Sequence, residues 1–363
     1  MTKTISPEAP DLSRQKRKTV TIKHVAAEAS VSLQTVSRVI NNGPNVTPKV
    51  QERVNAAIKK LGYVPSLAAR RLGGSRSYLI LALNDRHPTV EGWLSRRGND
   101  WVDQMLLGGM LKCEEYGYRM LFELVDAHSE ETLNQVQAAL SSLRPDGVIL
   151  TPPHTENHQI MNLLIRNGVP FARIGSQEGE DGYCIFMDEV DAAAAATDHL
   201  LDLGHRRIGF ITGHADYSGS RHRLQGYRLA MERRDLEVRE EWIQPGDFSY
   251  ASGVAATEAL MAAGEKVTGV VASNDETALA VLHTVARFNL QVPGDISIVS
   301  FDDTPTVRLS VPPLTAIRQP IAPMTARASE LLIEEKSTGR QGSARQMLPF
   351  ELILRESTAA PSA

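Results

Sequence analysis

Two short stretches near the start of the chain carry apolar residues at helical spacing, and a turn separates them. The apolar positions on their inner side are Val25, Ala26, Ala29, Val31, Val36, Val39 and Ile40. The second stretch keeps polar side chains on its outer side: Gln34, Thr35, Ser37 and Arg38. Ser32 precedes this stretch as a predicted N-cap. The pattern predicts a helix-turn-helix, whose second helix is the part that can enter the major groove of DNA.

A third helix follows the pair. Thr47 is its predicted N-cap, Pro48 occupies the first helical position and Gly62 ends it. Together the three helices predict a headpiece over residues 21–64. Residues 65–77 include a short helical pattern with little apolar surface, which is marginal on its own. We expect this segment to be a hinge that becomes ordered only on contact with a partner.

From Tyr78 onward, apolar runs alternate with amphipathic stretches. The runs predicted to be strands are 78–83, 119–124, 147–150, 170–174, 208–211, 267–272 and 296–301. The stretches predicted to be helices lie around 102–113 and over 132–143, 192–203, 224–234, 252–263 and 276–288. This alternation predicts two parallel, doubly wound sheets covered by helices. The core is expected over 78–358, with 78–185 and 321–340 in a first lobe and 186–318 and 341–358 in a second.

Charge divides the chain at the same place. Residues 1–76 hold fourteen Lys or Arg and four Asp or Glu, a net charge of +10, whereas the remainder carries −14. A basic head can neutralise DNA phosphates, and an acidic body stays soluble and away from DNA. A basic, solvated helix without a partner is the alternative interpretation of the head. Residues 1–20 mix Pro, Ser, Lys and Arg and are expected to form a disordered basic arm.

Composition favours a binding protein over an enzyme. Cys113 and Cys184 are the two cysteines and lie far apart, so neither a disulfide framework nor a zinc site is indicated. The sequence contains none of the common phosphate-loop, nucleophile-elbow or zinc-protease motifs. An apolar signal sequence and a membrane-length apolar run are likewise absent. We therefore expect a cytoplasmic protein without catalytic activity, cofactor, metal or membrane partner.

Polar residues follow three strands predicted in the second lobe. They are Arg221 and Arg223, Asn274 and Asp275, and Asp302 and Asp303. Because ligands bind beyond the carboxyl ends of parallel strands, these side chains predict a site for a hydroxyl-rich ligand. Two structural alternatives remain open: Asp275 caps the following helix, and Asp302 and Asp303 begin a turn.

Several of these segments together resemble the LacI/GalR family of bacterial transcription regulators. They are residues 21–72, 199–210, 223–227, 272–275, 297–303 and 312–315. The resemblance extends from Thr21 to about Arg355. It implies a three-helix headpiece, a hinge helix and a two-lobed core like those of periplasmic sugar-binding proteins. It also implies three passages of the chain between the lobes, expected near 183–190, 317–321 and 338–342.

The resemblance also implies site residues. By motif position, Leu33, Gln34 and Arg38 are the expected base readers. The expected phosphate contacts are Ser32, Thr35, Ser37, Asn41 and Thr47. Leu72 matches the hinge leucine that inserts into the minor groove. The positions that match effector contacts are Arg223, Asn274 and Asp302, with Asp275 beside them and Trp101 as an aromatic face.

Some positions depart from the family pattern. Ser30 stands where the headpiece turn usually has Gly, which implies mild strain, and His24 replaces a usual acid, which implies a weaker helix cap. Gly175 occupies a position at which some members supply an acid to the ligand. Residues 86–98 form a longer loop than is usual. The tail after Arg355 lacks the leucine repeats that make some members tetramers.

The sequence therefore predicts a homodimeric transcription regulator, a repressor, that binds a pseudo-palindromic operator in double-stranded DNA. A small molecule, expected to be a carbohydrate or its derivative, would control it allosterically. An activator or a corepressor-dependent repressor would use the same parts. A solute-binding transport receptor and an enzyme on a doubly wound scaffold are the more distant alternatives.

Overall fold

A computed structural model describes residues 20–40, 43, 45–63, 76–95, 99–339 and 342–362. Contacts between residues divide the chain into two units at the boundary between Ser77 and Tyr78. Three expectations of the sequence lie outside the described residues: residues 1–19 of the basic arm, Asn41, and most of the hinge segment with Leu72.

The first unit contains three helices, α1 (Ile22–Glu28), α2 (Leu33–Ile40) and α3 (Pro48–Leu61). Their shared core consists of Val25, Ala26, Ala29, Val36, Val39, Val54, Ala57 and Tyr63. Val31 and Ile40 pack against this core while half-buried. The predicted inward face is therefore confirmed. Tyr63, which the helical pattern did not include, packs against the same core.

The ends of these helices follow from local residues. The Ser32 hydroxyl accepts a hydrogen bond from the backbone N–H of Thr35 at 3.1 Å, so the predicted N-cap of α2 is confirmed. Gly62 ends α3 in the left-handed region, at φ 59°. Ser30 also adopts the left-handed region, at φ 49°, in the turn between α1 and α2.

The capping box of α1 is present with His24 at its third helical position, and its reduced strength stays a prediction. The backbone N–H of Thr21 donates to His24 Nδ1 at 2.9 Å. The ring nitrogen thus accepts the hydrogen bond that a carboxylate accepts in the usual capping box, because the His24 side chain reaches back from the same helical position.

The first lobe of the second unit is built on a parallel six-stranded sheet. Its strands are β1 (Leu79–Asp85), β2 (Arg119–Val125), β3 (Gly147–Leu150), β4 (Phe171–Ile174), β5 (Tyr183–Phe186) and β11 (Ala344–Met347). Their order across the sheet is β11-β5-β4-β3-β1-β2. The helices of this lobe are α4 (Arg86–Leu94), α5 (Asp100–Glu115), α6 (Thr132–Leu143), α7 (His158–Arg166) and α13 (Ile321–Thr338). Apolar clusters lie on both faces of the sheet.

The second lobe repeats this plan. Its strands are β6 (Ile208–Ile211), β7 (Ile243–Gln244), β8 (Gly269–Ala272), β9 (Ser297–Asp302), β10 (Thr315–Arg318) and β12 (Glu351–Ile353). Their order is β12-β10-β9-β8-β6-β7, and β12 pairs antiparallel with β10 while the other pairs are parallel. The helices are α8 (Glu189–Asp202), α9 (Ser218–Glu232), α10 (Tyr250–Ala262), α11 (Asp275–Arg287) and α12 (Pro305–Leu309). The predicted fold class, a helical headpiece with two doubly wound sheets, is confirmed.

The chain passes between the lobes three times. It leaves the first sheet after β5 and enters the second lobe at α8, and it returns between β10 and α13. The third passage lies between β11 and β12, so the expected position near 338–342 is wrong. Residues 344–347 pair in parallel with β5 at the edge of the first sheet, and their exposed, polar sequence gives no apolar run that would have revealed the strand.

Three further observations concern composition. None of the helices in the described ranges is long and apolar enough to cross a membrane. Over those same ranges, no cluster of His, Cys, Asp and Glu has the arrangement of a metal site. Cys113 and Cys184 are both buried free thiols.

Candidate DNA-binding face and ligand cleft

The three expected base readers lie together on the exposed side of α2. Leu33 is 44% exposed although it is a large apolar residue, and Gln34 and Arg38 are exposed as well. The opposite side of the helix buries Val36 and Val39. An exposed leucine beside an amide and a guanidinium is the combination that can contact a thymine methyl group and base edges.

The residues expected to contact phosphates differ in their exposure and in the hydrogen bonds that they already form. The hydroxyls of Ser32 and Thr35 already bond to each other at 2.9 Å as part of the cap. Ser37 is half-buried, and Thr47 is exposed at the start of α3. Glu28 and Lys60 pair at 2.6 Å and connect α1 to α3. This largely exposed pair adds little stability, and the shared apolar core holds the three helices together.

Arg223 lies on α9 at the carboxyl edge of the second sheet and is 2% exposed. Its Nε donates to Glu189 at 2.7 Å, a second nitrogen donates to Glu189 at 3.3 Å, and the third donates to the Ser273 carbonyl at 2.5 Å. The guanidinium also lies 4.4 Å from the ring centre of Phe301. Burial disfavours the charged form, but Glu189 outweighs it and raises the pKa of Arg223. Glu189, at the start of α8, was not identified from the sequence.

Asn274 and Asp302 end two neighbouring strands of the same sheet. The Asn274 amide donates to the Phe248 carbonyl at 2.8 Å, and its oxygen caps α11 by accepting from the Thr277 N–H at 2.9 Å. Asp302 is half-buried and accepts a hydrogen bond from the Gln319 amide. The structure therefore brings Arg223, Asn274 and Asp302 to one edge, together with Gln319.

Asp275 and Asp303 serve mainly as internal braces. Asp275 is buried and accepts from the Ser300 hydroxyl and, at 2.6 Å, from the Thr304 N–H. The helix cap is Asn274, not Asp275, so that structural alternative for Asp275 is wrong. Asp303 is buried against three arginines, Arg308, Arg318 and Arg355, at 3.1, 2.8 and 2.5 Å.

The two lobes meet directly beside this edge. Glu156, which follows β3 of the first lobe, accepts from Ser176 of its own lobe at 3.2 Å and from Ser218 of the second lobe. Arg221 of the second lobe and Glu178 of the first approach to 3.8 Å. The loop of the first lobe that contains Gly175 also lies close to the second lobe. A Cβ at Gly175 would lie 3.2 Å from the hydroxyl of Tyr217, so the smallest residue there admits an aromatic side chain from the opposite lobe.

Burial and neighbouring acidic groups together raise the pKa values of three side chains at this contact. Burial is the main cause that raises the pKa of Asp302 to about 6, with Arg223 and Gln319 opposing it and Glu189 adding to it. Burial and then the neighbouring Asp302 raise the pKa of Asp275. Burial also raises the pKa of Tyr217, with Glu189, Glu156 and Asp302 adding to the effect and Arg223 opposing it. The same few charged groups thus surround the Tyr217 phenol from both lobes.

Trp101 lies in the first turn of α5, half-buried against the apolar cluster of the first lobe. Its neighbour Asp100 is near charged groups of the second lobe. Burial and Asp103 raise the pKa of Asp100, and Arg308 opposes this shift. The start of α5 therefore borders the second lobe.

The loop that the sequence marks as unusually long contains a helix, α4, immediately after β1. Thr89 of this helix accepts from Asn84 at 2.8 Å, and Asn84 accepts from Thr151 at 2.6 Å. These buried hydrogen bonds fix α4 over the carboxyl ends of β1 and β3. Sequence periodicity did not reveal this helix because its apolar residues do not fall on one face.

A helix-turn-helix unit joined to a two-lobed core with a polar cleft defines a DNA-binding regulator that responds to a ligand. Comparison with known proteins agrees. Residues 21–66 match the model for bacterial regulatory proteins of the lacI family, and residues 197–358 match a periplasmic binding protein-like domain. The chain belongs to the LacI family of transcription regulators.

Similar proteins match over nearly the full chain. The regulator CelR of Thermobifida fusca is 32% identical, over 94% of this chain and 99% of its own length. The ribose operon repressor of Escherichia coli is 32% identical, over 86% of this chain and 92% of its own. A solved lac repressor dimer, bound to operator and the anti-inducer ONPF, is 27% identical over 94% of this chain and 100% of its own, with a TM-score of 0.76.

Proposed function

We propose that the protein is a homodimeric repressor that binds a pseudo-palindromic operator and changes its affinity for that operator when a carbohydrate occupies the cleft. The observation that carries this proposal is the edge formed by Arg223, Asn274 and Asp302, where the two lobes meet. Such an edge offers paired donors and acceptors to hydroxyl groups. Binding of chromosomal DNA places the protein in the cytoplasm, and nothing in this function requires catalysis, a cofactor or a metal.

In this proposal the headpiece reads bases through Leu33, Gln34 and Arg38. Ser32, Thr35, Ser37, Asn41 and Thr47 contact phosphates, and these contacts position the helix without specifying sequence. Residues 65–77 act as a hinge, and Leu72 inserts between base pairs in the minor groove. Exposure of Leu33, Gln34, Arg38 and Thr47 in the free headpiece supports this assignment.

The ligand cleft uses Arg223, Asn274 and Asp302 as direct contacts, with Trp101 as an aromatic face. Asp275 acts indirectly, because its hydrogen bonds to Ser300 and Thr304 fix the strand end beside Asp302. Cellobiose is bound in a solved CelR complex that matches this chain with a TM-score of 0.71 and 30% identity, which supports a sugar as the ligand class.

Dimerisation is supported by exposed apolar surface on the core. On α5, Leu107, Met110 and Leu111 are 49%, 55% and 55% exposed. On the second lobe, Leu309 and Val311 are 82% and 89% exposed. Exposed apolar patches of this kind mark protein interfaces. A two-fold dimer through these surfaces would present two headpieces to the two halves of an operator.

The ligand would act by changing how the lobes meet. Glu156 and Ser218 connect the lobes beside the cleft. A ligand that contacts both lobes favours one arrangement of them, and the dimer transmits that preference to the headpieces. Repression with release by the ligand is the mode we propose, and the names of the similar ribose and lactose operon repressors support repression.

The test separates the two sites. An operator is first selected from random DNA by the full-length protein, and sugars are screened for their effect on its binding. Asp302→Asn, which keeps the side-chain shape, should bind the operator normally but lose most of its response to the sugar. Asp235→Asn, at an exposed position after α9, is the matched control. A normal sugar response in Asp302→Asn would contradict the assignment of the cleft.

A further inference from the structure

The contact between the lobes contains more carboxylates than cations. Glu156, Glu189 and Asp302 are close enough to the Tyr217 phenol to influence it, and Arg223 is the cation among these influences. Two hydrogen bonds to Glu189 already compensate the charge of Arg223. An incoming ligand therefore meets an excess of negative charge in the cleft, because neither Glu156 nor Asp302 forms an ion pair with the residues that the structure describes.

The hydrogen-bonding capacity left at this place is mixed. Arg223 has five N–H groups and uses three, so two donors remain. Asn274 uses one of its two N–H groups. Asp302 accepts from Gln319 and retains further acceptor capacity, and the second oxygen of Glu156 accepts no hydrogen bond from the residues that the structure describes. The Tyr217 hydroxyl can act as either donor or acceptor.

The excess of negative charge and the mixture of remaining donors and acceptors together favour some classes of ligand over others. A phosphate or carboxylate brings acceptors and negative charge, so it repels Glu156 and Asp302 and leaves them without donors. An ammonium group brings donors alone and leaves the remaining N–H groups of Arg223 and Asn274 unsatisfied, which is costly in a buried site. A hydroxyl group donates and accepts at once and carries no charge. It therefore satisfies both the remaining N–H donors of Arg223 and Asn274 and the remaining acceptor oxygens of Glu156 and Asp302.

Aromatic side chains complete the surroundings. The rings of Tyr217 and Phe248 lie 6.1 Å apart at an angle of 61°, beside the carbonyl that accepts from Asn274. Their apolar faces suit the C–H surface of a sugar ring. Gly175 leaves room for the Tyr217 hydroxyl, so a phenol from the second lobe lies against this loop of the first lobe.

We propose that the cleft takes an uncharged polyhydroxylated ligand, such as a free mono- or disaccharide, and rejects the phosphorylated and carboxylated forms of the same sugars. The proposal rests on the proposed function, since it concerns the same cleft. The proposed ligand class is thereby narrowed from carbohydrates in general, which include sugar phosphates, to uncharged sugars.

The test compares matched ligands on the full-length protein by isothermal titration calorimetry. The panel contains a broad set of neutral sugars, among them glucose, ribose and cellobiose, with glucose 6-phosphate, ribose 5-phosphate, gluconate and glucosamine as charged counterparts. We expect a neutral sugar to bind at least about 100-fold more tightly than its phosphate, because like charges in a desolvated site are strongly unfavourable.

Glu156→Gln removes one charge while keeping the side-chain shape. It should reduce the preference for the neutral sugar over its phosphate by about tenfold, since one repulsive charge is lost. Glu232→Gln, at the exposed end of α9, should leave the preference unchanged. An unchanged preference in Glu156→Gln would overturn the electrostatic argument.

Equal or tighter binding of a phosphate, an acid or an amino sugar would overturn the proposal, and so would a panel in which no neutral sugar binds. Failure of the proposed function would look different. In that case the protein would select no operator from random DNA, whichever ligands the calorimeter detects.

Discussion

Arg223 is a buried residue that is held by its neighbours and still keeps unused hydrogen-bond donors. Glu189 compensates its charge, the Ser273 carbonyl takes a third hydrogen bond, and two N–H groups remain. The sequence predicted Arg223, Asn274 and Asp302 from their positions after strands. It could not predict Glu189, Gln319 or Tyr217, because their roles depend on contacts between segments that are distant in the chain.

The Glu189 carboxylate should be essential for the stability of the core. Glu189→Ala leaves a buried guanidinium without a counter-charge, so we expect a loss of about 3–5 kcal/mol in the free energy of unfolding measured in urea. The exposed pair Arg228–Glu240, at 2.8 Å, is the comparison. Glu240→Ala should cost less than about 1 kcal/mol. Similar losses in the two variants would contradict the structural role of Glu189.

Base readout should depend on Gln34. Its amide suits adenine, so Gln34→Ala should weaken operator binding by about 1–3 kcal/mol and relax the preference at one base pair in each half-site. Gln51→Ala, an exposed glutamine on α3, should leave both unchanged. Binding-site selection with the three proteins measures this. An identical preference in Gln34→Ala would show that α2 reads bases through other residues.

At the level of elements, apolar runs predicted most interior strands and the edge strand β2, but they missed the interior strands β5 and β10 as well as the other edge strands. Strands β3 and β6 occupy the predicted apolar runs, because a strand buried on both faces is a continuous apolar run. Strand β11, at one edge of the first sheet, is exposed and polar. Strand β7, at one edge of the second sheet, has only two residues. Helix α13 escaped prediction because its buried face places Thr325 and Ser329 among the apolar residues.

The exposed apolar face of α5 should form part of the dimer interface. Leu111→Glu places a charge on that face, so the protein should shift towards monomer in sedimentation at low micromolar concentration. Operator affinity should fall with it, because one headpiece alone contacts half of the site. Glu114→Gln on the same helix, also exposed, is the control. A dimer that persists in Leu111→Glu would place the interface elsewhere.

At the scale of the whole molecule, buried histidines should make stability depend on pH. Burial lowers the pKa of His205, with a hydrogen bond to the Ala359 carbonyl opposing it, and burial also lowers the pKa values of His154 and His199. As the pH falls below the ordinary value of 6.5, the unfolded chain binds protons that the folded protein does not. These histidines therefore lower the free energy of unfolding on acidification through this range, whereas the raised pKa values of Asp302, about 6, and of Asp275 act in the opposite direction.

The variant His205→Gln should reduce that dependence on pH between pH 7.5 and about 5.5, because one buried histidine no longer resists protonation. His158→Gln, at an exposed position, is the control and should retain the dependence of the unchanged protein. The measurement is urea unfolding at several pH values. A pH dependence of His205→Gln identical to that of the unchanged protein would contradict this role of His205.

The whole molecule is a ligand-binding core joined to a DNA-binding headpiece, and we expect the two sites to be coupled. The most direct measurement is fluorescence anisotropy of a labelled, selected operator with the full-length protein while a neutral sugar that binds the core is added. The account predicts that the sugar lowers operator affinity by about 5–150-fold, the usual range of allosteric coupling. It also predicts that operator DNA weakens sugar binding by the same factor. Operator affinity that stays constant as the cleft fills would contradict it.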